Sequence, residues 1–244
     1  MRISIELVPR TEADLRTQLE QVKAFPRVDT VNIPDISRFP MRSWQGCSQA
    51  LAHVAHAIPH LRAIDVDLAR PHPAAGEFCG DRLDEVLVVA GDAPADMSRA
   101  VYSTTSIELI RKLRREHPDL TVHAAFDPYR QGFQAERAYA TQKLEAGATS
   151  LFTQPFFDVR LMEVFGELLD GMQIFWGVTT VTSRRSQLYW QSRNRAVFPA
   201  DFSPTLDWNR KLARDALAFT ELHGGNIYFM PIRASVGDYL GGIL

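Results

Sequence analysis

Eight short apolar runs, separated by amphipathic stretches, constrain the fold of this chain more than any other feature. The runs lie at residues 3–9, 30–35, 61–67, 85–92, 120–128, 150–158, 173–181 and 226–234. Between them, apolar residues recur at helical spacing, as in the stripe of Leu15, Leu19 and Val22. Strands that alternate with helices favour parallel βαβ units, and eight such units favour an α/β fold of the (β/α)8 TIM barrel type. A doubly wound parallel sheet is the alternative that this pattern leaves open.

Local signals mark where several helices begin and end. Thr11 with Asp14 resembles a capping box, and Thr105 with Glu108 is the full box. Gly147 follows a helical stretch where a C-cap glycine is expected. These signals support the alternation of strands and helices.

The chain length suits one barrel domain over residues 1–244. Two places depart from the regular pattern. Residues 68–84 hold two prolines and two glycines where the third helix belongs, and residues 236–244 are too few for a full eighth helix. We therefore predict an irregular third helix and a truncated eighth helix.

Composition narrows the classes of partner. The formal net charge is −2, so no basic face for nucleic acid is expected. No apolar run approaches the ~20 residues that a membrane helix needs, and the first ten residues are typical of a strand, not of a signal peptide. Cys47 and Cys79 have no partner motif beside them, which indicates reduced packing residues in a cytoplasmic protein. A homo-oligomer is left open.

Polar residues stand at the ends of the predicted strands, where a barrel places its active site. An Asp at such a position often caps the following helix. Glu6 and Gln154 are not preferred caps, and both lie inside apolar runs. Glu6, flanked by Ile5 and Leu7, would have a raised pKa if it were buried, which is the state that a general acid needs. The strand-end residues are Glu6, Asp35, Asp65, Asp67, Asp92, Asp127, Gln154, Asp158, Thr179, Thr180 and Arg233.

Metal and dinucleotide motifs are weak in this sequence. His53 and His56 would share a helix face, but no Glu completes a zinc motif. Asp65 and Asp67 would lie on one face of a strand, an arrangement that suits a divalent metal but also simple capping. We predict no metal site. The sequence contains no GxGxxG loop, so a Rossmann dehydrogenase is unsupported.

Six blocks in order resemble the methylenetetrahydrofolate reductase family. The most specific has a Lys, then Ala-Gly-Ala, then Thr-Gln and an aromatic pair before Asp. The resemblance implies a barrel enzyme that reduces 5,10-methylenetetrahydrofolate to 5-methyltetrahydrofolate, with hydride from NAD(P)H passing through FAD. The blocks are ISIELVP, VNIPDISRFPMRS, EVLVVAGDAP, AAFDP with QKLEAGATSLFTQPFFD, WGVTTVTSRRSQLYW and YFMPIRA.

The resemblance also implies roles for single residues. Glu6 matches the family's general acid, and Gln154 matches the glutamine that binds the pterin. Asp92 matches the aspartate near both flavin and pterin. Trp190 falls where the family stacks an aromatic ring on its ligands, and Arg233 matches an arginine that approaches the benzoyl-glutamate of folate.

On the cofactor side the match is less complete. Ala90 replaces a common arginine and Phe126 replaces a flavin-contacting tyrosine. The alternatives are therefore a flavin-independent reductase of the same family and a pterin-binding barrel without reductase activity. The positions that align with the family's flavin site are His60, Ala90, Gly91, Asp92, Phe126 and Lys143.

Overall fold

A computed structural model of the chain describes residues 1–78, 83–94 and 100–244. In these ranges eight parallel strands form a closed barrel in sequence order, and β8 pairs with β1. The (β/α)8 prediction is confirmed, and the doubly wound alternative is wrong. The strands are β1 (Ile3–Glu6), β2 (Thr30–Ile33), β3 (His56–Arg62), β4 (Glu85–Val89), β5 (Thr121–Phe126), β6 (Ser150–Thr153), β7 (Ile174–Thr179) and β8 (Asn226–Met230).

The helices surround this barrel. Between β3 and β4 the described residues form only short 3₁₀ turns, at Ala63–Asp65 and Ala75–Glu77, and the last helix has 5 residues. Both predicted irregularities are confirmed. The α-helices of the described ranges are α1 (Glu12–Val22), α2 (Ser43–Ala50), α3 (Ser106–Glu116), α4 (Phe133–Glu145), α5 (Val159–Leu168), α6 (Arg184–Arg193), α7 (Leu206–His223) and α8 (Val236–Leu240).

The predicted helix boundaries agree with the structure. The Thr11 hydroxyl accepts a hydrogen bond from the Asp14 N–H at 3.1 Å, and Thr105 and Glu108 form the reciprocal box. Gly147 follows α4 with φ 111°, a conformation that favours glycine. Local capping chemistry therefore sets where these helices start and stop.

The third strand was placed wrongly at residues 61–67. It runs instead over His56–Arg62, and His56 is the register partner of Thr30 in β2. Two histidines and a proline make this segment look unlike a strand, but the closed sheet pairs it on both sides. His56 therefore does not share a helix with His53, and Asp65 ends a 3₁₀ turn, so Asp65 and Asp67 do not lie on one face of a strand.

The two larger apolar cores of the described residues lie on either side of the barrel wall. The larger one packs the helices on the outside of the sheet and includes Cys47, whereas Cys79 lies outside the described residues. The inner core fills the barrel, where Phe152 and Phe175 stack with centroids 3.9 Å apart. Within the described ranges, no helix is both long and apolar enough to cross a membrane. The inner core consists of Ile58, Leu87, Phe152, Phe175, Tyr228 and Met230.

A buried polar network closes the barrel at the amino ends of its strands. Arg2 Nη1 lies 2.8 Å from Glu85 Oε2, and His123 Nε2 lies 2.8 Å from the same oxygen. The other nitrogen of His123 lies 2.6 Å from Ser150 Oγ. Burial alone would raise the pKa of Glu85, but the hydrogen bonds from His123 and Arg2 lower it to about 2. The Glu85 carboxylate at this end of the barrel is therefore held by protein partners.

Candidate active site

Glu6 stands at the carboxyl end of β1 and points into the barrel. The Tyr228 hydroxyl, from β8, donates a hydrogen bond to Glu6 Oε2. Burial raises the pKa of Glu6 to about 7, against the smaller lowering effect of the Tyr228 hydrogen bond. Near neutral pH a large fraction of this carboxyl is therefore still protonated and can give up its proton.

A neutral polar chain lies next to Glu6 in the barrel. Asn32 is the register partner of Glu6; its side-chain oxygen accepts from the Ser4 hydroxyl. Its amide nitrogen lies 3.4 Å from Nε2 of His60. Burial lowers the pKa of His60 to about 3, so the imidazole is neutral at neutral pH. His60 lies in β3 and, being neutral, adds no charge beside Glu6.

Gln154 directly follows β6 at the same end of the barrel as Glu6. Its backbone N–H donates to the Phe126 carbonyl at 2.7 Å. This hydrogen bond fixes the position of the backbone from which the Gln154 side chain extends. The side chain itself is exposed, and its carboxamide makes no hydrogen bond to any described residue. A carboxamide in this state can both donate to and accept from a ligand.

The Gly91–Asp92 pair follows β4. Gly91 has φ 83°, and a Cβ there would lie 2.8 Å from Ile64 Cγ2 and 3.0 Å from Arg62 Nε. Arg62 Nη2 donates to the Asp92 carbonyl at 2.5 Å. Glycine is needed both for the backbone conformation and for the close approach of Arg62. Because Arg62 binds the backbone carbonyl of Asp92, the Asp92 side chain stays exposed.

Arg233 and Trp190 lie in different surroundings. Arg233 follows β8, is exposed, and has φ 60°, a conformation that is uncommon for a residue with a side chain. Trp190, on α6, is only 7% exposed and packs against Phe157, with centroids 5.5 Å apart. The guanidinium is therefore accessible to a ligand, whereas the indole is largely covered by protein.

The positions assigned to a flavin do not form one surface. Ala90, Gly91 and Asp92 lie together after β4, and His60 is buried inside the barrel. Phe126 is 1% exposed and packs outward onto Phe165 of α5, with centroids 5.5 Å apart.

Lys143, the remaining flavin position, is also turned inward. Its ammonium group donates to the Ala125 carbonyl at 2.6 Å and lies 4.1 Å from the centroid of the Tyr139 ring. Burial lowers the pKa of Lys143 to about 8. With Phe126 and Lys143 both committed to contacts within the protein, the described residues fit a bound flavin poorly.

Sequence reasoning missed Tyr228 and Arg62, which hold Glu6 and Asp92. Alternation along β8 puts Tyr228 on the inner face, but its partner is 222 residues away. Within the described ranges, no three His, Cys, Asp or Glu side chains are arranged to hold a metal ion.

Comparison with known proteins gives a family and a fold. A model of the methylenetetrahydrofolate reductase family matches residues 3–211. A 2,3-dimethylmalate lyase of the PEP mutase/isocitrate lyase superfamily has a TM-score of 0.59 at 11% identity, covering 96% of this chain and 75% of that one. The carboxyl transferase domain of Rhizobium etli pyruvate carboxylase has a TM-score of 0.55 at 9% identity, covering 99% of this chain but only 43% of that one. At these identities the solved structures show the barrel fold alone.

Proposed function

The chain belongs to the methylenetetrahydrofolate reductase family, and from that premise we propose that it reduces 5,10-methylenetetrahydrofolate to 5-methyltetrahydrofolate with hydride from NAD(P)H. The observation that carries the proposal is the half-buried Glu6 carboxyl at the barrel mouth, with a pKa of about 7. A general acid is most effective when its pKa lies near the working pH.

The chemistry assigned to Glu6 is one proton transfer. Its carboxyl gives a proton to the nitrogen that leaves the bridging methylene group; that C–N bond breaks, and the methylene becomes an iminium at N5 of the folate. Hydride then adds to the methylene carbon and forms the methyl group. The proton and the hydride together account for the two hydrogens gained by the substrate.

Three accessible side chains at the mouth would hold the folate. The exposed Gln154 carboxamide would bind the edge of the pterin, because it can both donate and accept. The exposed guanidinium of Arg233 would pair with a carboxylate of the glutamate tail. Asp92 would lie near the pterin and shape the electrostatics of hydride transfer. Stacking of Trp190 on the ligands stays a prediction, since its ring is largely covered in this conformation.

FAD binding also stays a prediction that rests on the family resemblance. A bound flavin would relay two electrons from NAD(P)H to the folate. The inward-turned Phe126 and Lys143 favour the second candidate, a flavin-independent reductase that takes hydride directly from the nicotinamide. A pterin-binding barrel without reductase activity is the third reading. A cytoplasmic location stays a prediction from the sequence, and a homo-oligomer stays an open alternative.

One set of assays separates these candidates. Purified protein is tested for oxidation of NADH and of NADPH that depends on methylenetetrahydrofolate, first as isolated and then with added FAD, while flavin fluorescence reports binding. Activity that does not change with FAD, and no binding at hundreds of micromolar, supports the flavin-independent enzyme. Activity that requires FAD, with saturable quenching, supports the relay. Folate binding without activity in either condition contradicts the proposal and supports the pterin-binding barrel without reductase activity.

A further inference from the structure

The two oxygens of the Glu6 carboxyl have different surroundings. Oε2 accepts the hydrogen bond from the Tyr228 hydroxyl. Oε1 makes no hydrogen bond to any described residue, and it is not among the buried polar atoms that lack a partner. One oxygen is therefore held by the protein, and the other is open to the mouth.

We propose that Tyr228 is a positioning residue that directs the transferable proton to Oε1 of Glu6. A neutral carboxyl has one O–H and one carbonyl-type oxygen, and the latter is the better acceptor. Because the Tyr228 O–H points at Oε2, Oε2 takes the acceptor role and the proton occupies Oε1. The inference deepens the proposed function, on which it rests for the destination of the proton.

The barrel interior keeps Tyr228 in this position. Tyr228 is 3% exposed, and its ring meets Phe152 edge to face with centroids 5.3 Å apart. Its strand pairs with β1 on one side and β7 on the other, where its register partners are Ser4 and Gly177. A ring held on both sides gives its hydroxyl a fixed direction, so the contact with Glu6 does not depend on a mobile side chain.

Among the described residues, Tyr228 is also the side chain that opposes the effect of burial on the pKa of Glu6. On β2 the neighbour is Asn32, which cannot ionise, and on β3 it is His60, which is neutral at neutral pH. Burial raises the pKa of Glu6 and the Tyr228 hydrogen bond lowers it, because the hydroxyl stabilises the ionised form. Removing only this hydroxyl should therefore raise the pKa of Glu6 further.

The test substitutes Tyr228→Phe, which keeps the ring and its contact with Phe152. The titration midpoint of Glu6 is measured without substrate, by NMR of ¹³C-labelled glutamate carboxyls, with the signal identified by its loss in Glu6→Gln. We expect the midpoint to rise by about one pH unit, as for loss of one hydrogen bond to a charged group. The pH profile of kcat should move upward by the same amount. The kcat plateau should fall on the order of tenfold, because the proton is no longer confined to Oε1.

Tyr239→Phe is the matched control. Tyr239 is also fully buried, but its hydroxyl has no hydrogen-bond partner among the described residues. The same atom is deleted there, and neither the Glu6 midpoint nor the pH profile should move. A lower kcat in Tyr228→Phe with an unchanged midpoint would mean that Tyr228 only supports packing, and would overturn the proposal.

A second substitution covers the case in which Tyr228→Phe does not fold. Difluorotyrosine at position 228 makes the hydroxyl a stronger donor, so the Glu6 midpoint should fall instead of rise. An unmoved midpoint there also overturns the inference. Because the midpoint is measured without substrate, it does not depend on the reaction. If Glu6→Gln retained full turnover, the proposed function would fail while the coupling of Tyr228 to Glu6 would still be measured.

Discussion

The two ends of the barrel hold glutamates in opposite states. At the amino end, Glu85 meets Arg2 and His123, and its pKa falls to about 2. At the carboxyl end, Glu6 is half-buried with a single neutral donor, and its pKa rises to about 7. Burial raises the pKa of both side chains, so their partners decide whether the final pKa is high or low. The Arg2 cation and the His123 hydrogen bond keep Glu85 ionised and structural, whereas the absence of a cation around Glu6 leaves a proton available for chemistry.

The ends also differ in how their polar groups are satisfied. Glu85, His123 and Ser150 bind one another, so no ligand is needed to complete them. At the mouth, the side chains of Gln154 and Arg233 are exposed to solvent. This division agrees with the general separation in such barrels between a stabilising amino end and a functional carboxyl end.

The largest expected effect is on turnover at the mouth. Glu6→Gln keeps the size of the side chain and can still accept from Tyr228, but it carries no transferable proton. We expect kcat to fall by ~10²–10⁴-fold, the range for loss of a general acid, with folding retained. The measurement is steady-state reduction of methylenetetrahydrofolate beside circular dichroism. Glu12→Gln, an exposed change on α1, is the control and should keep full turnover; equal rates for both variants would remove Glu6 as the acid.

At the other end, the expected loss is in stability. Glu85→Gln leaves Arg2 and His123 without their anion. We expect a cost of about 3 kcal/mol in the free energy of unfolding, the low end for a broken buried pair, since 25% of the Arg2 side chain is exposed. Urea unfolding measures it. Glu221→Gln, which breaks the exposed pair with Arg27, should cost at most ~1 kcal/mol.

The Glu85 effect has a defined pH window. The folded-state pKa is depressed from 4.5 to about 2, so the stabilisation is present above pH 4.5 and is lost as pH falls through that window. The stability difference between the wild type and Glu85→Gln should therefore shrink on acidification from pH 4.5 to 2. A difference that stayed constant over this range would contradict the assigned ion pairs.

The smallest expected effect concerns the loop that carries Asp92. Gly91→Ala places a methyl group against Ile64 and Arg62 in a backbone with φ 83°. Gly171→Ala is a control with nearly the same backbone, φ 80°, and nothing within 4 Å of the new methyl group. The control should lower the free energy of unfolding only by the ~1–2 kcal/mol of strain in a left-handed backbone. Gly91→Ala should lower the free energy of unfolding by more than the control and should also lower turnover. Thermal unfolding of both variants, read beside their activity, checks this; equal costs would mean that Arg62 moves away freely.

The sequence by itself determined the order of strands and helices, the caps at Thr11, Thr105 and Gly147, and the position of Glu6 at the end of β1. These features rest on local periodicity, on short capping motifs and on the position of Glu6 and Gln154 within apolar runs, all of which can be read from neighbouring residues. The third strand was misplaced because its histidines and proline hide it from a local pattern, and only pairing with β2 and β4 makes it a strand.

Only the tertiary structure decided what surrounds the candidate site. It joined Tyr228 to Glu6 across the closure of the barrel, brought Arg62 against Gly91, and turned Phe126 into the helix layer. It also left the Gln154 amide in solvent, although Gln154 lies inside an apolar run of the sequence. The pKa of Glu6 depends on these distant contacts, because desolvation and hydrogen bonding are properties of the folded surroundings and not of the residues on either side in the chain.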